Sequence, residues 1–301
     1  MLGGDGFDTV FGGTGNDTID GGLGNDVISG QDGDDSILGG DGSDKLAGAA
    51  GNDFLDGGLS NDTLDGSAGN DRLFGREGDD LLIGGDGLDR LEGEAGADRL
   101  RGEAGADTLL GGAGTDVLFG GADNDSLDGG DDGDSLFGDF GNDTLQGGAG
   151  NDQLRGSAGQ DVIDGGTGTD RVSEEVEGNV VIDRLTLSSA LLGTETVLSI
   201  ERFNLSGSAS NNLIDARLSS VKVILSGNGG NDTLLGSAFN DTIVGGDGND
   251  EITGGGGADS LDGGLGADTF DNDATDTRVT DVMDSVRASL FAAPFLWLDS
   301  I

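Results

Sequence analysis

Cysteine, histidine and tyrosine are absent from the 301 residues, and there are only one proline, one tryptophan and two methionines. Without Cys there is no disulfide framework and no thiol chemistry. Without His as well, a His-based catalytic triad, a zincin motif and the usual nitrogen and sulfur ligands of zinc are excluded. Basic residues are also scarce, 14 against 59 acidic, for a net charge of −45. That balance excludes nucleic acid or an anionic membrane as an electrostatic partner and points to cations. No apolar run approaches the roughly 20 residues of a membrane span. With 64 glycines and 33% hydrophobic residues, a conventional three-dimensional core is not expected. Met1-Leu2 runs straight into repetitive sequence without a charged-then-apolar leader. Any export is therefore expected to be read from elsewhere, and the abrupt start suggests a longer parent.

What fills the chain is a nine-residue unit, repeated nineteen times from Gly3 to Ser173 without insertion or deletion. Gly12-Gly13-Thr14-Gly15-Asn16-Asp17-Thr18-Ile19-Asp20 is one copy, and the pattern reads G-G-x-G-x-D-x-U-x with U aliphatic. The first six residues read as turn, because Gly reaches positive φ freely and Asn or Asp tolerates it. The last three read as a short strand in which only the eighth residue faces inward, since strand side chains alternate. Those eighth residues are Val10, Ile19, Ile28 and Ile37, an unbroken leucine series from Leu46 to Leu154, then Ile163 and Val172.

The sixth residue is always Asp: Asp8, Asp17, Asp26, Asp35, Asp44, Asp53, Asp62, Asp71, Asp80, Asp89, Asp98, Asp107, Asp116, Asp125, Asp134, Asp143, Asp152, Asp161 and Asp170. If two units make one turn of a solenoid, these acids form two ladders with neighbours about 4.8 Å apart. Bare carboxylates at that spacing repel by roughly 1–3.5 kcal/mol per pair, and the sum exceeds the roughly 5–15 kcal/mol that keeps a domain folded. A divalent cation between turns reverses the sign. Calcium suits the place, because it accepts six to eight oxygens in flexible geometry and a Gly-rich turn offers carbonyls, whereas magnesium demands a stricter octahedron. One ion per same-side pair amounts to about twenty ions and would bring the charge of −45 to about −5.

These units resemble the RTX (hemolysin-type) calcium-binding nonapeptide. The resemblance covers Gly3 to Ser173 and again Gly227 to Asp271, where Asp232, Asp241, Asp250, Asp259 and Asp268 are sixth. It implies an all-β fold, a right-handed parallel β-roll or β-helix solenoid with multiple calcium ions lying between turns, and all the Asp residues named above as metal ligands. It further implies a bacterial protein exported by type I secretion machinery and folded by calcium outside the cell. Departures occur at the fourth position, where Ser60, Asp123 and Asp132 replace Gly and weaker or distorted binding is expected, and at Phe239 in the second block.

Four segments follow: the long block 3–173, a spacer 174–226 read as degenerate β-helix coils, the short block 227–271, and a C-terminal cap with secretion signal 272–301. Within the spacer, Gly207 to Asp215 keeps the outline of a unit but has Asn212 where Asp is expected, so it reads as a non-metal copy. Val282, Val286 and Leu290 fit a short amphipathic helix over Asp281 to Phe291, ended by Pro294. That tail is expected either to cap the roll or to carry the export signal. Outward-facing Phe119 and Phe137, eighteen apart, are expected to stack, and Arg72, Arg90, Arg99 and Arg171 to be solvated or paired with acids.

Other readings fit less well. An acidic disordered tract does not explain the strict spacing, although disorder without calcium is expected. An EF-hand would close a twelve-residue loop with Glu, and a phosphate cradle would need its Lys. Paired carboxylates abound, as in a glycosidase, but their period already has an explanation, and no enzyme is expected in these residues. The alternatives kept are an export and folding module of a larger secreted protease, lipase or epimerase, and a calcium-dependent adhesin or surface protein with a surface or glycan partner.

Overall fold

The computed structural model describes residues 1–175, 179–183, 186–189, 193–271, 275–279 and 285–286. They fall into two compact units, Met1–Glu174 with Leu185–Phe203, and Glu175–Arg184 with Asn204–Ile301. Each is a solenoid of parallel strands. No helix among the described residues is long and apolar enough to cross a membrane.

In the first unit successive strands alternate between two parallel sheets. Thr18–Leu23 pairs with Ser36–Asp41, which pairs with Phe54–Leu59. On the other side Val27–Asp32 pairs with Lys45–Ala50, which pairs with Thr63–Ala68. Every partner in these ladders lies eighteen residues away, so two nonapeptides make one turn, as the spacing predicts.

The strands are longer than the sequence suggests. Thr18–Leu23 spans six residues, the last three of one unit and the first three of the next. Only residues such as Gly24-Asn25-Asp26 remain as the turn. The reason is that the first three residues also find ladder partners one turn away, as Gly22 does with Gly40 and Leu23 with Asp41. The strand therefore has two inward positions, the eighth aliphatic and the following first-position Gly, and its burial alternates accordingly.

From Ile19 to Val172 the eighth residues form one apolar column per sheet, at most 2% exposed. Val10, beside the open start, is only half-buried. Outside, Phe119 and Phe137 stack at 4.9 Å and 10°, as expected from their spacing. The guanidinium of Arg99 lies over Phe119, and those of Arg72 and Arg76 over Phe74, while Arg90 pairs with Glu92. At the far end of the unit Thr186–Ser189 and Gly193–Leu198 form an antiparallel pair, and Thr196–Leu198 continues the sheet in parallel on Val162–Asp164.

The second unit repeats the scheme with less regular spacing. Asn179–Asp183 pairs with Leu213–Leu218 through a bulge, and the sheet continues through Thr233–Leu235, Glu251–Thr253 and Thr269–Phe270. The other sheet contains Lys222–Gly229, Thr242–Asp247, Ser260–Leu265 and Thr277–Val279. The helix expected over Asp281 to Phe291 lies outside the described residues apart from Ser285–Val286, which pair in parallel with Thr269–Phe270.

Candidate calcium ladders

The six-residue strands leave the sixth-position Asp as the last residue of each turn, pointing inward at the edge of the apolar column. In the long block these acids are stacked as the eighteen-residue period requires, and from Asp26 onward they are at most 3% exposed. From Asp26 onward each divides its two oxygens between different tasks. Oδ1 accepts the backbone N–H of the Asp one turn earlier, Asp98 from Asp80 at 2.8 Å and Asp107 from Asp89 at 2.8 Å. Oδ2 is buried and accepts nothing at every such Asp from Asp8 to Asp170, and at Asp232, Asp250 and Asp259. A buried ionised oxygen without a partner is among the most costly groups a fold can contain.

The surroundings of Oδ2 identify what would satisfy it. A Cβ built on Gly111 would sit 2.4 Å from Asp116 Oδ2 and 2.6 Å from the carbonyl oxygen of Gly129, one turn on. The same pair of oxygens, one carboxylate and one carbonyl from the next turn, crowds the place of the missing Cβ at Gly21 and Gly93. First-position Gly therefore keeps open a cradle lined by hard oxygen donors. Among the described residues no three acidic side chains converge on one point. Each cradle has a single repeat Asp, and the remaining donors have to be carbonyls, a set that suits calcium.

Burial also perturbs these acids. It pushes Asp62, Asp71, Asp98, Asp107, Asp125 and Asp134 up to about 7. Asp116, Asp143, Asp170 and Asp259 are pushed by it to about 6. The N–H accepted at Oδ1 works against the rise, and the charge of nearby carboxylates adds to it. Removal from water is thus the first penalty of the ladder, and the repulsion invoked from sequence comes after it.

Fourth-position Ser60, Asp123 and Asp132 hold φ of 76°, 78° and 72°, so the left-handed turn survives the loss of Gly. The two acids add charge beside the ladder, Asp123 near Asp107 and Asp125, Asp132 near Asp116 and Asp134. The turn before Asp241 is different. Neither Ser237 nor Phe239 takes a positive φ. Ser237 instead donates its N–H and Oγ–H to Asp241 Oδ2 at 2.6 and 2.8 Å, while Val223 N–H donates to Oδ1 at 2.8 Å. Of the Asp residues predicted as ligands, this one has its inner oxygen already satisfied by protein. Asn212 occupies an equivalent place, accepting Ser208 N–H at 2.9 Å and giving its own N–H to Asp232 Oδ1 at 2.7 Å. Asp268 Oδ1 accepts Asp250 N–H at 2.8 Å, continuing that ladder.

Three acids missed from sequence belong to the same system. Asp276 Oδ1 accepts Asp259 N–H at 3.1 Å, extending a ladder with a spacing of seventeen that the nine-residue count steps over. Glu174 falls where the count expects a first-position Gly, and its Oε1 accepts Gly156 N–H at 2.7 Å. Glu195 lies beside Asp161 by register, fully buried, with neither oxygen hydrogen-bonded. Burial, then the charges of Glu174 and Asp161, raises its carboxyl well above the usual range. The signal for Glu174 was the count itself; Glu195 had none, because an antiparallel pair intervenes. On the outside, fifth-position Asn residues form a further ladder, Asn52 accepting Asn70 N–H at 2.9 Å and Asn124 accepting Asn142 N–H at 2.7 Å.

A parallel solenoid lined by buried carboxylates opposite glycine-shaped, carbonyl-bearing cradles defines a cation-binding repeat protein. A family model described as the RTX calcium-binding nonapeptide repeat matches in overlapping windows from residues 2–37 to 137–172, and again over 224–243 and 235–270. The chain belongs to that family, whose repeats are calcium-binding motifs. No curated protein gives a significant match.

Proposed function

We propose that the chain is a calcium-triggered folding module of a secreted bacterial protein, held unfolded where free calcium is low and folded where it is millimolar. The observation that supports this reading is the orphaned Oδ2 of the repeat Asp residues, each facing a first-position Gly cradle. The residues fit calcium: Asp Oδ2 from one turn and the first-position Gly carbonyl of the next are the donors that would hold it, and the ion would supply the counter-charge the buried oxygen lacks. Asp241 is the exception, because Ser237 takes its oxygen.

Without the ion, the self-repelling charge of −45 favours an extended chain, which is the form a secretion channel can thread. With it, ordering spreads turn by turn, since each turn contacts only its neighbours. The role is structural and the repeats are not catalytic. The tail beyond residue 281 is assigned the export signal, and secretion unaffected by its deletion would remove that part of the proposal. The central test is a calcium titration followed by circular dichroism in the strand region. A transition from coil to β signal is expected, and a complete β signal in excess chelator at pH 8 would refute the reading.

A further inference from the structure

We infer that the outer face at the end of the first unit carries a binding groove for an oxyanion, built on Arg171 and Arg202. The groove has a volume of about 270 Å³ and is lined by these two arginines with Ser135, Asn151, Gln153 and Thr169. In a chain with 14 basic residues against 59 acidic ones, guanidiniums are expected to be consumed by carboxylates. Of the ten arginines among the described residues, Arg72 and Arg99 lie over phenylalanine rings, and Arg76, Arg90, Arg101, Arg155, Arg217 and Arg278 each have an acidic partner within 4 Å. Arg171 and Arg202 have none among the described residues. Arg171 Nη2 donates to Gln153 Oε1, which fixes that guanidinium against the groove wall. The Nε of Arg202 is buried without any acceptor.

The groove also lies in a lane free of acid. Ser135, Gln153 and Arg171 are stacked seventh-position residues, and none of the nineteen seventh positions of the long block is Asp or Glu. Asp134 and Asp152 line the groove, but their carboxylates turn inward and are buried in the ladder, accepting the N–H of Asp116 and of Asp134. Glu201, next to Arg202, has its Oε2 engaged by Asp170 N–H at 2.7 Å. Two planar guanidiniums with amide and hydroxyl neighbours suit a carboxylate or sulfate oxyanion, which Arg can grip with paired hydrogen bonds.

The inference rests on the calcium reading in one respect. The inward acids at Asp134, Asp152 and Asp170 repel an anion unless their charge is neutralised, so the groove accepts its ligand in the calcium-loaded chain. The test is isothermal calorimetry of the full chain in millimolar calcium chloride, titrated with sodium sulfate and separately with sodium glucuronate. Circular dichroism first establishes that the chain is folded; failure at that step counts against the calcium reading and not against the groove. One site is expected, weakened at least tenfold by Arg202→Ala and by Ser135→Asp, which places a carboxylate in the lane. Tighter binding of glucuronate marks a carboxylated sugar as the ligand, and tighter binding of sulfate a free oxyanion. The groove is overturned if the folded chain binds neither, or if both variants bind as the parent does.

Discussion

Acidification in the presence of a chelator is expected to fold this chain without calcium. Ten ladder carboxyls are raised from 3.8 to about 6 or 7 in the folded state. A group whose folded value is raised contributes stability that is fully present below the unfolded value, 3.8, and is lost as pH rises through the folded value. Each such group changes stability by about 1.4 kcal/mol per pH unit between the two values. If solvent screening leaves only half of them effective, about five protons are taken up on folding, and stability changes by roughly 7 kcal/mol per pH unit. The transition then spans well under one pH unit, near pH 6. It lies above the sequence pI of about 4.1, so the chain remains charged and soluble over the window. With calcium bound the dependence inverts, because the ladder is held ionised and protons compete with the metal. Circular dichroism between pH 5 and 8 in excess chelator, with proton uptake by pH-stat, reads both the midpoint and the steepness. A calcium-free chain equally structured at pH 5 and pH 8, or coiled at both, would refute the claim that buried carboxylates oppose the fold.

Further expectations follow from single positions. Gly111→Ala puts a Cβ 2.4 Å from Asp116 Oδ2 and should remove one calcium, costing about 2.7 kcal/mol at a calcium concentration 100-fold above Kd; Gly13→Ser, at a second position where a Cβ meets nothing within 4 Å and where Ser67 and Ser157 already stand in other units, should retain the full count by equilibrium dialysis. Ser237→Gly combined with Phe239→Gly restores the repeat turn before Asp241 and should add one calcium to the stoichiometry; an unchanged count would show that Ser237 is not what closes that cradle. Leu109→Ala empties a fully buried place in the apolar column and should lower stability by about 2–5 kcal/mol in urea unfolding with calcium present.

The repeat made the solenoid legible because one aliphatic, one Asp and one Gly recur at fixed places, and a period of two strands per turn needs no further information. It concealed the length of the strands. Gly at the first position reads as turn material, yet Gly22 is a strand residue, because a neighbouring turn supplies its ladder partner. The count also failed where spacing slips: Asp276 takes the next place after Asp259 although it lies seventeen residues on, and Glu195 reaches Asp161 only across an inserted antiparallel pair.

The sequence by itself determined the class of fold, the family and the chemistry of the cation, since a register of nine with an invariant acid leaves hard oxygen ligands as the only repeating donors. Tertiary structure alone decided which oxygen of each Asp is available. Oδ1 is occupied by an N–H from another turn and Oδ2 is left facing a cradle that exists only because Gly lacks a Cβ, and both facts depend on residues eighteen positions apart. It also decided that Asp241 differs from its neighbours, because the loss of positive φ at two turn residues lets a serine reach a carboxylate that the repeat pattern would have assigned to metal.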